Sequence, residues 1–537
     1  MLDVSSNSGG HWATGTEQLG VTSVSIALLV CTSFLLVMGR STSRRKMTGS
    51  ENTKCRGRSI PGPRGLPIFG NIFQLGDKIH ETFMKLAEDY GDVFQIYIAS
   101  RRVVVLNGAN AIQQALIRQA VDFAGRPELP SMLVMDKVTS RGLSFASYDQ
   151  KWRIHRKISE TALRHFTSGS QVSNLEEKVM MEVQTLIKFW TNNNSDVDMM
   201  INPETSLQLS VSNVLSSFLV SRRHELDDPK LLNLLQLQMT FQEVCSTANM
   251  VDFMPWVLNF APKILNKFEQ FLESFKSCFK EDMSNHLEDH QPGAENDIMD
   301  YMLTLTEKMD SNDLLKVGLT PENILTSVYD FYGAASDTVP ATIMWLLSYM
   351  VIHPDIQDRV HEELDSVFGS SYRAPNLEDR SRLPFTLAVI AEAQRHSSVV
   401  PMTIPHSTTC DTILKGGYDM EIPKDTVVFV NLYSVHYDKN VYKDPEKFLP
   451  ERFLASDGSL DKEKTSQLVA FGVGRRRCLG SEIARVELFL YFATLMQHFH
   501  FSCPEGEKVS LEGRPGLVTK PDLTNMRIRS RCCAPKF

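Results

Sequence analysis

The sequence predicts a mainly α-helical protein with small β-sheets, built as one large helical domain behind an N-terminal transmembrane helix. Three observations carry that expectation. A charge-free apolar run lies near the N-terminus, helical periodicity dominates from about residue 75 to 400, and the strand-like segments are short and few.

The apolar run is Leu19 to Met38, twenty residues without a charge. It is long enough to cross a bilayer core as one helix. Upstream, only Asp3 and Glu17 are charged. Residues 40–58 carry seven Lys and Arg (Arg40, Arg44, Arg45, Lys46, Lys54, Arg56 and Arg58) against Glu51. The positive-inside rule then places 1–18 in the lumen, 19–39 in the membrane and the rest in the cytosol. A cleaved signal would have a shorter apolar stretch behind a basic start. The connector, 40–69, ends in Ile60-Pro61-Gly62-Pro63-Arg64-Gly65-Leu66-Pro67, too rich in proline and glycine for a helix. The main domain is expected over 70–537.

Of the 537 residues, 42% are hydrophobic and 22% charged, which permits a large core and argues against disorder. No linker or repeat divides the chain after residue 70. A net charge of −8 and the lack of a basic stripe argue against nucleic acid as a partner. The nine cysteines form no CxxC pair, and their number is odd. Free thiols in a reducing compartment fit better than a disulfide scaffold or a zinc knuckle.

Within the domain, Thr320-Pro321-Glu322 marks a helix start: a hydroxyl cap, a proline at the first position and an acid in the first turn. The helix should run to Ile352, stopped by His353-Pro354, about 48 Å at 1.5 Å per residue. With Met344, Trp345, Leu346, Leu347, Met350 and Val351 it must cross the domain centre. The expected strands are Val93–Ile98, Val103–Leu106 and Thr426–Val430.

The strongest chemical signal is Phe471-Gly472-Val473-Gly474-Arg475-Arg476-Arg477-Cys478-Leu479-Gly480, followed by an apolar helix. A glycine-rich loop here delivers a thiol to a helix N-terminus, where dipole and N–H groups favour thiolate. Gly474 and Gly480 leave room for a flat ring, and Arg476 can pair with a carboxylate on it. A dinucleotide fingerprint would need glycine at 477, where Arg stands. A cysteine by itself is more often structural.

The full pattern Phe-x-x-Gly-x-Arg-x-Cys-x-Gly resembles the cysteine-ligand signature of the cytochrome P450 superfamily, and the resemblance extends from about residue 58 to 531. It implies the cytochrome P450 fold and haem b (iron protoporphyrin IX), with Cys478 as the iron ligand and Phe471, Gly474, Arg476 and Gly480 shaping its loop. Trp152-Arg153-Ile154-His155-Arg156 matches Trp-x-x-x-Arg, so the resemblance places Trp152, Arg156 and His406 on the haem propionates. Glu392-Ala393-Gln394-Arg395 matches Glu-x-x-Arg; with Arg452 of Pro450-Glu451-Arg452-Phe453 it implies a buried triad, Glu392, Arg395 and Arg452, that locks the cysteine loop.

Gly333-Ala334-Ala335-Ser336-Asp337-Thr338 matches the oxygen-groove pattern Ala-Gly-x-Asp/Glu-Thr, with Ala335 where glycine is usual. Asp337 and Thr338 are the expected catalytic proton relay. Pro340 removes a helix hydrogen bond and should bend the helix beside Thr338; the joint effect of Ala335 and Pro340 on the groove stays open. The implied reaction takes dioxygen, two electrons and two protons, placing one oxygen atom in the substrate and the other in water. With no nucleotide fingerprint in the chain, electrons would come from NADPH-cytochrome P450 reductase, with cytochrome b5 as a second donor. Arg153, Lys157, Arg475 and Arg477 could meet that acidic partner or be ordinary solvated charges.

Residues 395–409 and 422–431 resemble family 1 of the animal microsomal enzymes, the aryl-hydrocarbon hydroxylases. Val251 to Trp256 in part resembles the steroid 17-alpha-hydroxylases, the runner-up. By family position the pocket would be lined by Phe123, Phe145, Asp330, Gly333, Ala334, Thr338, Val400 and Val518. The resemblance further implies a single-pass protein of the endoplasmic reticulum membrane. A haem-thiolate isomerase or synthase and a non-catalytic haem sensor are the rivals; the retained Asp337 and Thr338 argue against both.

Overall fold

Thr320 caps the longest helix as its sequence demands. Its hydroxyl and the Asn323 side chain form a capping box, with Pro321 at the first position. The computed structural model describes residues 58–139, 142–192, 194, 197–309, 318–369, 373–504, 510–523 and 525–531. The expected membrane span and the connector up to residue 57 lie outside them.

Nine helices build the site: α1 (Pro130–Val138), α2 (Gln150–Thr167), α3 (Val172–Thr191), α4 (Pro203–Val220), α5 (Pro229–Phe253), α6 (Asn266–Cys278), α7 (Pro321–Ile352), α8 (Pro384–Ser397) and α9 (Ser481–His498). α7 matches the expected span to the residue and stays helical through Pro340. It is apolar and long enough to cross a membrane, yet most of its apolar stretch is buried inside the protein. It packs against α4, α8 and α9, while α3 packs on α4 and α9. One large core fills that bundle, with Trp345, Leu346, Tyr349, Phe489, Tyr491 and Phe492 at its centre. A second layer, α1, α5 and α6, gathers around Phe268, Phe271 and Leu272.

The strands are short, as expected: β1 (Val93–Ile98), β2 (Arg101–Leu106), β3 (Asp198–Ile201), β4 (His406–Ser407), β5 (Thr412–Leu414), β6 (Met420–Ile422), β7 (Val427–Val430), β8 (Phe499–Ser502) and β9 (Met526–Ser530). They form sheets ordered β1-β2-β7-β4, β3-β9-β8 and β5-β6. β2 gains Arg101 and Arg102 over the expected strand because both pair with β1.

The end of the proline-rich connector docks on the first sheet. Ile60 is buried, Gln95 N–H donates to the Pro61 carbonyl at 2.8 Å, and Arg58 N–H donates to the Asp419 carbonyl at 2.6 Å. A Cβ on Gly62 would fall 1.9 Å from the Gln95 carbonyl oxygen, so only glycine fits there. Residues from Arg58 onward therefore belong to the domain surface, earlier than the boundary expected at 70.

Candidate active site

The site is organised by the short segment Gly142–Phe145 and the residue after it. Leu143 and Ser144 donate their N–H groups to Asp330 Oδ2 of α7, at 2.6 and 3.0 Å. The Leu143 carbonyl accepts from Trp152 Nε1 at 2.9 Å and from Arg476 at 3.2 Å. The Ser144 carbonyl accepts from Arg126 Nε at 2.8 Å, and the Ala146 carbonyl from Arg476 at 2.7 Å. One turn of chain thus ties the central helix, α2 and the cysteine loop together.

Two guanidinium groups, Arg126 and Arg476, bind this turn, and a third, Arg156, lies beside them against Trp152 and the Arg477 carbonyl. Arg476 lies 3.9 Å over the Trp152 ring and Arg156 5.4 Å from it. Arg126 also donates to the Ile404 and Pro405 carbonyls at 3.1 and 3.0 Å. Burial, reinforced by Arg156, pushes Arg126 down to about 9. Burial, with Arg126 and Arg156, pushes Arg476 down to about 8. Burial also lowers Arg156. Buried His406, on β4, is held far below its ordinary pKa by burial and by Arg126, so it is neutral; its Nδ1 lies 2.7 Å from the Phe123 carbonyl. None of the three arginines makes an ion pair among the described residues. A buried cation such as Arg126 without a counter-charge costs several kcal/mol, and with half-buried Arg156 and Arg476 beside it the cluster is built to face anionic groups. The two propionate carboxylates of haem answer that need, and on this ground the residues fit the cofactor.

The cysteine loop folds back on itself. Cys478 N–H donates to the Phe471 carbonyl at 2.9 Å, and a short 3-10 turn covers Gly474–Arg476. Cys478 lies deep in the protein's mass, and burial raises its thiol pKa. The Gly480 N–H, Arg156 and Arg485 act the other way, favouring thiolate. Yet the side chain faces open space, as does Gly480, where a Cβ would meet nothing within 4 Å. An exposed thiol beside basic side chains and a backbone N–H suits a metal ligand better than a packed core cysteine would. Gly474 has a different reason to be glycine: its φ is +77°, and a Cβ would lie 2.1 Å from the Leu116 carbonyl oxygen.

The Glu392–Arg395 pair is fully buried and bidentate, at 2.7 and 2.8 Å. Arg452 Nε lies 3.3 Å from Glu392 Oε1, which also accepts from Leu449 N–H at 2.8 Å. The link to the cysteine loop runs through His436, which sequence reasoning missed. Its carbonyl accepts from Arg395 at 2.8 Å, and its Nε2 accepts from Val469 N–H at 3.3 Å. Burial, then Arg395, holds this imidazole down to about 3. It is therefore neutral, with its proton on Nδ1 toward Ser398 Oγ, 3.1 Å away.

On α7, Gly333 and Ala334 are exposed, while Tyr332 and Ser336 on either side are buried. A Cβ on Gly333 would meet only Phe275, at 3.9 Å. Thr338 Oγ1 donates to the Ala334 carbonyl at 2.9 Å, leaving its lone pairs to accept. Asp337 is ion-paired with Lys520 at 2.7 Å.

The expected pocket residues do not all gather. Phe145 packs with Phe241, Phe271 and Phe275 in the second layer. Val518 is buried in the main core and Val400 packs against it. Phe123 is fully buried in a separate core against the first sheet; its carbonyl, not its ring, serves the site. Asp330 commits its carboxylate to the Leu143 and Ser144 amides, and burial still raises it to about 6. Arg126 was also missed; a lone cation in the apolar Phe123-Ala124-Gly125 stretch was its only sign. Arg153, Lys157, Arg475 and Arg477 are exposed, with Arg477 3.2 Å from Glu160.

Comparison with known proteins gives a family match, described as Cytochrome P450, over residues 60–528. The chain is 39% identical to Cytochrome P450 1A1 of Homo sapiens over 466 residues, 86% of this chain and 90% of that protein. It is 38% identical to Cytochrome P450 1A1 of Rattus norvegicus, covering 86% and 88%. With the Cytochrome P450 1A1 of Opsanus tau it shares 37%, covering 88% and 91%.

Proposed function

The chain belongs to the cytochrome P450 family, and from that premise we propose that it oxygenates hydrophobic, planar aromatic molecules with electrons passed from NADPH by a membrane-bound reductase. As a member it is a haem-thiolate monooxygenase. The bound haem supplies the redox chemistry that activates dioxygen and places one of its atoms in the substrate.

The protein's own residues do the rest. Cys478 supplies the thiolate, steadied by the Gly480 N–H, Arg156 and Arg485. Arg126, Arg156 and Arg476, with neutral His406, would hold the propionates, and the Trp152 ring supports Arg476 from below. Thr338, its own hydrogen bonded to the Ala334 carbonyl, keeps its lone pairs to accept a hydrogen bond in the groove, and Asp337 beside it is the acid that takes protons from solvent and passes them on. The buried triad and His436 fix the loop that carries Cys478. The exposed Arg153, Lys157, Arg475 and Arg477 form the surface for the acidic reductase, with cytochrome b5 as a second donor. The expected span over 19–39 places the enzyme in the endoplasmic reticulum membrane with its domain in the cytosol.

The observation that carries the reading is a cluster of three guanidiniums, buried Arg126 and half-buried Arg156 and Arg476, gathered at the turn that also fixes the central helix and without an ion pair among the described residues. The planar substrate rests on the family 1 likeness and on the second layer. The open Gly333–Ala334 face lies beside Phe275, which stacks with Phe271 at 5.9 Å and 12°. Such a wall favours a flat ring over a bulky one.

The test uses purified protein with reductase. A planar alkoxy-aromatic ether should be dealkylated with NADPH consumed, while progesterone and pregnenolone turn over poorly. Clean steroid 17-hydroxylation without turnover of the planar ether would overturn the substrate proposal in favour of the 17-alpha-hydroxylase reading.

A further inference from the structure

A group of ligand-type side chains lies outside the haem site. The helix Lys280–Asp289 is followed, after a short loop, by the helix Ile298–Glu307. His286 of the first faces Asp297 and Asp300 at the start of the second. Its Nε2 lies 2.8 Å from Asp297 Oδ2 and 3.8 Å from Asp300 Oδ1. The ligand atoms of the three residues are all within 4.8 Å of one another.

Backbone groups fix the other polar atom of each side chain. His286 Nδ1 lies 2.7 Å from the Asp282 carbonyl, one turn back on its own helix. A carbonyl only accepts, so Nδ1 carries a hydrogen and the neutral ring presents its Nε2 lone pair to the carboxylates. Asp297 Oδ1 accepts from the Asp300 N–H at 2.9 Å, and Asp300 Oδ2 accepts from the Asn296 N–H at 3.2 Å. One imidazole nitrogen and two carboxylate oxygens are left close together, each oriented from behind as ligating side chains ordinarily are.

His290 points to the same place independently. It stands one turn after His286, where that helix ends. Its side chain is only 8% exposed, and its Nε2 lies 3.4 Å from Glu307 Oε2 and 3.4 Å from Thr304 Oγ1. Asp300, Thr304 and Glu307 recur at helical spacing on one face, so His290 is aimed at the face that carries Asp300, and its charge reaches that carboxylate. Its buried Nδ1 has no hydrogen-bond partner. A buried nitrogen left this way is costly, and a ligand at the site would satisfy it.

The donor set selects the ion. Calcium and magnesium favour shells made of oxygen, whereas two imidazoles with two carboxylates suit a four-coordinate ion of the zinc class. We propose that His286, Asp297 and Asp300, with His290 as the fourth ligand, bind one Zn2+ ion that staples the two helices across the 290–297 loop. Without the ion, His286 and Asp297 form an ion pair. On binding, the proton on His286 Nε2 leaves to solvent and the lone pair takes the metal. The stapled second helix braces α2: its Tyr301 stacks on His165 of α2 at 4.1 Å and 8°.

The test uses the full-length holoenzyme, stripped with a chelator and titrated with Zn2+. Calorimetry should show one ion per chain. Zinc-edge X-ray absorption should show a first shell of nitrogen and oxygen, with the outer scattering of two imidazoles. The melting temperature should rise with Zn2+ and stay unmoved by Mg2+. His286→Gln and Asp300→Asn should each weaken binding about a hundredfold and His290→Asn about tenfold, with circular dichroism reporting an intact fold. Asp300→Asn keeps the side-chain shape and carries the test alone if the histidine variants do not accumulate. Three results overturn the site. Equal binding by wild type and Asp300→Asn means an adventitious ion only. Sulfur in the first shell assigns the ion to a cysteine. No saturable binding leaves the group as a helix cap with an ion pair.

Discussion

At the scale of single residues, charge decides what the site can hold. Arg126, Arg156 and Arg476 spend many of their donors on backbone carbonyls, which fixes their geometry without neutralising them. A carboxylate ligand is the missing half of that arrangement. Arg126→Met should therefore weaken haem binding by about 1.5–3 kcal/mol, the range for a hydrogen bond to a charged group. The check is haem titration into apoprotein beside thermal unfolding of the apo form. Lost stability with unchanged haem affinity would make Arg126 a strut for the 404–405 turn and nothing more. Arg126 also shows what a sequence hides. Cys478, Trp152 and the Glu392–Arg395 pair sit in spacings that announce themselves, whereas Arg126 reaches the site only because β4 brings His406 and the 123–126 segment together. Asp330 and Phe123 show the converse. Both belong near the site by position, but a side chain's direction depends on contacts remote in sequence: Asp330 turns to the Leu143 amide and Phe123 into the sheet core.

At the scale of elements, α8 and α9 carry buried charge for different ends. In α8, Glu392 and Arg395 are both fully buried, and removing one strands the other at a cost of about 3–5 kcal/mol. Glu392→Ala and Arg395→Ala should each yield little haem-loaded protein; normal expression and haem content in either would show that the pair does not hold the loop. In α9, Glu487 is fully buried and neither carboxylate oxygen has a partner. Burial alone raises it to about 8 from an ordinary 4.5. The folded protein thus holds a proton that the unfolded chain gives up. The stability linked to that proton is complete below about pH 4.5, falls as the pH rises toward about 8, and is gone above it. Glu487→Gln, which needs no proton, should flatten the fall in melting temperature between neutral and mildly alkaline pH. Parallel curves for the two proteins would mean that Glu487 has a partner or water that lets it ionise. Periodicity reveals α9 as an apolar helix, but nothing in a single sequence says that one glutamate on it faces inward.

At the scale of the whole molecule, the long-range order was legible where local rules and global packing agree. The capping box and the His353-Pro354 stop bound α7 to the residue, and a run of β-branched and aromatic residues marks β1. The domain edge was read too late because Pro61 and Gly62 look like linker until they meet Gln95. In the proposed reading the elements together serve one site, made of the Cys478 thiol, the arginine cluster and the small-residue face of α7, with the thiolate at its centre. The carbon-monoxide spectrum of the reduced protein tests that centre most directly. Wild type should show the strongly red-shifted Soret band of thiolate ligation, and Cys478→His should lose it while still binding haem. Retention of the red-shifted wild-type band by Cys478→His would place the iron ligand elsewhere and contradict the account.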